Sequence, residues 1–271
     1  MAASEIRFFF RTAGHNLPIR PNRHHWPASF PGRTAGSRNA SAPTAHETDS
    51  IPGKVQPQRN RTETEELKPL ALTGGIACGK TTAGHFLLEA GFSHIYDTDA
   101  ICHDLYDDPT PELLDGMRKN WGDDVVTPDS RVDRAALSRR LFAEPDRAGA
   151  FASLNALVHP AVDRRLRELM VRDAVGDGDL VLVEIPLLFE IGWETRFSHT
   201  VAVWMPREMQ VGRLMARNGL TREEAESRLN VQMSADEKLA RADFGLINNG
   251  GLEHLRKQCV ELTARLRSLP L

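Results

Sequence analysis

Leu70-Ala71-Leu72-Thr73-Gly74-Gly75-Ile76-Ala77-Cys78-Gly79-Lys80-Thr81-Thr82 joins a short apolar run to a Gly, four residues, then Gly-Lys-Thr. That spacing is the phosphate-binding pattern G-x-x-x-x-G-K-[ST]. Gly74, Gly75 and Gly79 permit backbone angles and close approach that a side chain would block, so successive N–H groups can turn toward phosphate oxygens. Lys80 opens a helix whose dipole favours anions and is placed to reach the β- and γ-phosphates, while the Thr81 hydroxyl can ligate Mg²⁺. The alternative is a Gly-rich turn followed by Lys-Thr by chance. The flanks argue against it, because Leu70-Ala71-Leu72 reads as a strand and the stretch from Thr81 to Gly91 as a helix.

The chain has 271 residues, 41% of them hydrophobic, enough for a buried core in one or two domains. Its net charge of −3 is unevenly spread: residues 1–68 hold ten basic and six acidic side chains, leaving 24 against 31 beyond. An acidic remainder argues against a general nucleic-acid surface and leaves cations to gather where phosphates sit. Three cysteines, Cys78, Cys102 and Cys259, offer no disulfide framework and fit a reducing compartment. No apolar run of about 18 residues predicts a membrane span.

Residues 1–67 read as a disordered extension, rich in Arg, Pro, Ser, Thr, Asn and His and without sustained periodicity. Glu5 is the one acid before Glu47, against six arginines, a bias shared with organellar transit peptides. His24-His25-Trp26 and the prolines do not build an amphipathic helix, which favours an unstructured tail or a misplaced start. Asn39-Ala40-Ser41 and Asn60-Arg61-Thr62 match the glycosylation pattern but follow no secretory segment.

Residues 68–271 alternate strands and helices as one α/β domain. His94-Ile95-Tyr96 predicts a strand ending in Asp97-Thr98-Asp99, two acids at a strand end facing the crevice of the phosphate loop. One can cap the next helix and the other can act. A helical part over about 109–176 follows, with separate helices expected over Arg147–Val158 and Pro160–Val175. Between them Asn155 and His159 share a face, and taken alone His159 reads as a helix-terminus residue. The apolar run from Asp179 to Glu184 predicts a buried parallel strand, and Glu184 at its end could hold Mg²⁺ through water or cap a turn. Thr200–Trp204 and Phe244–Ile247 predict two more strands. Between them, Arg213 and Arg217 lie one turn apart in a charged helical hairpin over about 213–240 that could serve as a lid. A solvated charged face is the alternative.

From about Leu70 onward the chain resembles the dephospho-coenzyme A kinase family. The resemblance rests on LTGGIACGKTT, YDTDAICHDLY, LNALVHP, IPLLFE, QVGRLMARNGLTREEA with its following Gln232, and ADFGLINNGG, in order. It covers about three quarters of the chain. It implies a P-loop kinase with a five-stranded parallel sheet flanked by helices, a helical substrate-binding insertion and a lid. The implied reaction moves the γ-phosphoryl group of ATP, with Mg²⁺, to the ribose 3′-hydroxyl of dephospho-coenzyme A. On this resemblance Asp99 would orient and deprotonate the acceptor, and Lys80 with Arg217 would neutralise the transferring group. Gly75, Ala77, Cys78, Gly79, Lys80, Thr81, Thr82, Arg213 and Asn248 would hold the nucleotide, Asn155 and His159 would line the acceptor side, and Thr81 and Glu184 would serve the metal. A cytoplasmic monomer acting on a small molecule, with neither nucleic acid nor membrane as partner, is the expected setting. Two departures stand out: Ala77-Cys78 replaces the family's more usual Gly-Ser, and Glu184 stands where Asp is frequent. The chain carries no Asn-Lys-x-Asp guanine-reading motif, which argues against a GTPase switch.

Overall fold

The computed structural model describes residues 69–176 and 178–269. The expected extension, its transit-like bias and both glycosylation patterns lie outside the described residues. Five parallel strands form one sheet: β1 (Leu70–Gly74), β2 (His94–Asp97), β3 (Val181–Glu184), β4 (Thr200–Trp204) and β5 (Phe244–Ile247). Their order is β2-β3-β1-β4-β5, with β1 paired to β3 on one side and to β4 on the other. Every β1 residue is buried because both faces are covered, which is why this strand reads as a continuous apolar run. Successive side chains serve opposite faces. Leu70 and Leu72 join a core with helices α1 (Lys80–Ala90) and α9 (Leu252–Arg267), while Ala71 joins a second core with the helical insertion.

The stretch between β2 and β3 holds α2 (Thr98–Asp107) and then, within the expected helical part, α3 (Pro111–Trp121), α4 (Arg134–Ala143) and α5 (Arg147–Arg172). The structure corrects the expected break at Pro160: α5 is one continuous helix of 26 residues, about 39 Å long. The buried stripe Phe151, Leu154, Val158, Val162 and Leu166 keeps helical spacing straight through the proline. Pro160 and Ala156 are both exposed, so the carbonyl that loses its donor faces water. His159 is therefore a mid-helix residue, not a terminal one.

Beyond β4 come α6 (Arg207–Asn218), α7 (Arg222–Asn230) and α8 (Ala235–Arg241). Thr221 and Ser234 each start a helix with a capping box, to Glu224 and Glu237 respectively. Such caps contribute about 1 kcal/mol each. The α6–α7 hairpin closes on its own small core of Val211, Leu214, Ala225 and Leu229, and Ile76 and Ala77 of the phosphate loop pack against it.

Candidate active site

The loop leaves β1 at its carboxyl end, in the middle of the sheet, where open α/β folds place ligands. Its glycines are dictated by crowding and by backbone angle. Gly74 has φ 150°, and a Cβ there would lie 2.4 Å from the Val203 carbonyl oxygen; Gly79 has φ 94°, and a Cβ there would meet Asn248 Nδ2 at 2.4 Å. No side chain caps α1, so the N–H groups of Lys80, Thr81 and Thr82 remain open at the positive end of the helix. The Lys80 ammonium donates to the carbonyls of Gly74 at 3.0 Å and Gly75 at 3.3 Å, folding back over the loop it will serve.

Two neighbouring elements brace this loop. Asn248, after β5, is buried and donates from Nδ2 to the Cys78 carbonyl at 2.8 Å. Arg213 on α6 donates to the Ala77 carbonyl at 3.3 Å. One turn earlier the buried Gln210 donates to the Met205 carbonyl, and its Oε1 would lie 3.2 Å from a Cβ on Gly75. Gln210, Arg213 and Arg217 thus form one stripe running from the loop outward. The outermost, Arg217, is exposed and donates to Asn218.

The acidic side of the site follows from strand register. Asp97 pairs with Glu184, and Glu184 with Leu72, so the ends of β2, β3 and β1 are level. Asp97 is the cap of α2, accepting from the Asp99 and Ala100 amides. Thr98 Oγ1 donates to the Glu184 carbonyl at 2.9 Å, pinning α2 to the end of β3. Asp99, 9% exposed, then lies in the first turn of α2 on the same edge of the sheet as the phosphate loop.

Asn155 and His159 sit on α5, within the insertion. Among the described residues Asn155 Oδ1 is a buried acceptor with no hydrogen-bond donor. The His159 ring packs edge-on against Trp193 at 4.5 Å, and Arg196 stacks on the other ring of that pair at 4.6 Å. Burial, helped by the Arg196 charge, pulls the His159 pKa down to about 4, so it is a neutral imidazole near pH 7.

Cys78 lies beside Lys80 in sequence, a setting that can lower a thiol pKa where the thiol is accessible. Its side chain is fully buried, and burial raises the thiol pKa despite the opposing field of Lys80. Two residues without a distinctive local signal prove central to the packing around the loop. Lys238 on α8 is wholly buried, with its ammonium 2.8 Å from Glu190 Oε1. Glu190 closes the IPLLFE stretch, where the motif alone assigns it no task. Oxygen donors at Thr81, Glu184 and Asp99 suit a hard cation. Among the described residues no cluster of three His, Cys, Asp or Glu could hold a metal alone, so Mg²⁺ fits here only with nucleotide phosphates as further ligands.

Comparison with known proteins agrees with the geometry. The dephospho-CoA kinase family model matches residues 69–254. A dephospho-CoA kinase from Anaeromyxobacter dehalogenans is 41% identical over 201 residues, 74% of this chain and 93% of that protein. One from Symbiobacterium thermophilum is 40% identical, over 71% of this chain and 78% of its own length. A Thermus thermophilus crystal structure superposes with a TM-score of 0.59 at 38% identity, covering 74% of this chain and 99% of the other. The Campylobacter jejuni dephospho-CoA kinase gives 0.54 at 27%, covering 73% and 96%. The chain belongs to the dephospho-CoA kinase family.

Proposed function

We propose that this chain transfers the γ-phosphoryl group of ATP to the ribose 3′-hydroxyl of dephospho-coenzyme A, the last step of coenzyme A synthesis, with each step carried by the residues named above. The observation that supports the reading is the level register of β2, β3 and β1, by which the strand ends that carry Asp97 and Glu184 share the carboxyl end of the sheet with the phosphate loop. The open amides at the start of α1 cradle the phosphates, and Lys80 exchanges its loop carbonyls for β- and γ-oxygens. Asp99 orients the acceptor hydroxyl and takes its proton. The transition state is loose and its charge is spread over the equatorial oxygens, so the enzyme's contribution is position and neutralisation, with Arg213 and Arg217 supplying charge from the hairpin. Mg²⁺ would be held by Thr81 and, through water, Glu184, and would neutralise charge between the β- and γ-phosphates. Asn155 and neutral His159 line the acceptor side. A small-molecule kinase of this kind needs no membrane, and no helix among the described residues is long and apolar enough to cross one. We assign it to the cytoplasm, acting as a monomer.

The test is 3′-phosphorylation of dephospho-coenzyme A by purified protein, followed through three variants. Asp99→Asn is expected to bind ATP normally and lose about 10²- to 10⁴-fold in single turnover, the usual share of a positioned base. Lys80→Ala should weaken both ATP binding and turnover. Asp97→Asn should be milder, because Asn Oδ1 can still accept from the Asp99 and Ala100 amides and only the charge at the helix start is lost, about 0.3–1 kcal/mol. Near-normal turnover in Asp99→Asn with collapse in Asp97→Asn would reverse the assignment.

A further inference from the structure

Lys238 carries a positive charge at a site with no solvent contact, which packing alone does not require. Its ammonium has two partners, Glu190 Oε1 at 2.8 Å and the Pro186 carbonyl at 2.5 Å. Each partner leads elsewhere. The Pro186 carbonyl also accepts from Thr73 Oγ1 at 3.2 Å, one residue before the loop begins. Glu190 Oε1 also accepts from the Met233 amide at 3.1 Å, where α7 gives way to α8. One buried cation thus joins the end of β1, the IPLLFE turn and the base of the α6–α7 hairpin.

The helix that carries Lys238 touches the nucleotide site directly. Ala235, one turn before Lys238 on the same face, packs into the core beneath the loop, and its Cβ would lie 3.3 Å from a Cβ on Gly75. Trp204 Nε1 donates to Asp236 at 2.6 Å and holds the outer side of the same helix to β4. A slip of α8 would be felt at Gly75 and, through Glu190 and the Met233 amide, at the foot of the hairpin. A buried ion pair of this kind is a poor source of stability, because desolvation offsets its Coulomb gain, and in some proteins its value lies in fixing register instead.

We propose that the Lys238–Glu190 pair is a positioning latch for phosphoryl transfer, setting α8 and the hairpin base against the phosphate loop. The proposal rests on the functional reading above. Neither residue needs to touch substrate. Misplacement by about 1 Å can cost around 10²-fold in rate, whereas several loop amides can share small adjustments in binding ATP.

The test compares native protein with the double variant Lys238→Met/Glu190→Gln, which buries no charge and keeps an acceptor for the Met233 amide. ATP affinity, melting temperature and single-turnover transfer are measured, with rates normalised to ATP-binding sites. The latch predicts a rate at least 10-fold lower, with ATP affinity within about 5-fold of native, because position matters more to the transition state than to the ground state. A merely structural pair would change melting temperature and active fraction but leave the normalised rate within twofold, which overturns the proposal. If the double variant does not fold, Glu190→Gln alone is measured in the same way, and a rate within twofold of native again overturns it. Absence of transfer by the native chain fails the functional reading instead, and the latch is then judged on ATP hydrolysis by the same variants.

Discussion

Ala77 holds φ 62°, a left-handed angle that costs a residue with a Cβ about 1–2 kcal/mol relative to glycine. Its half-buried methyl packs with the hairpin core, which offsets part of that strain, since full burial of one carbon is worth about 0.8 kcal/mol. The neighbouring Cys78 shows the opposite balance between local charge and environment. Sequence places its thiol beside Lys80 and suggests reactivity, but the direction of the side chain is a tertiary fact, and it points into the core. All three cysteines are buried, and burial pushes the thiol pKa values of Cys102 and Cys259 up to about 12. Native protein should therefore show no fast-reacting thiol toward an aromatic disulfide reagent, and three after denaturation. One fast thiol that disappears in Cys78→Ser would restore the activated-loop reading. Lys238 marks the same limit of legibility, since a lysine in a short charged helix reads as solvated until its burial is seen.

Elements were more legible than side-chain directions. The phosphate loop, the five strands and the capped helix at Thr221 follow from patterns that depend on neighbours in sequence, and the structure contains them within a residue or two. α5 departs because a proline in mid-pattern signals a helix stop. The unbroken apolar stripe across it was the better signal, since packing of a long face outweighs one missing hydrogen bond. Pro160→Ala should restore the bond to the Ala156 carbonyl and raise stability by about 1–3 kcal/mol, read from the urea midpoint. A lower midpoint would mean that the helix uses the proline's shape to pack His159 against Trp193.

The described fold and the family match both begin at residue 69. Deleting residues 1–66 is accordingly expected to leave melting temperature and turnover within experimental scatter of the full chain. A fall of several degrees, or of several-fold in rate, would show that these residues support the kinase domain. The order of the sheet also bears on how the chain reaches its native state. β1 is made first, but both of its partners are translated more than a hundred residues later, after the whole insertion. Closing such long loops before any contact repays them is slow, and ln-rate falls as contacts become more distant in sequence. The ATP cradle is consequently among the last features to form, and a growing chain on the ribosome has no nucleotide site until β3 and β4 have emerged. Until then β1 is an unpaired apolar strand, open to association with other chains.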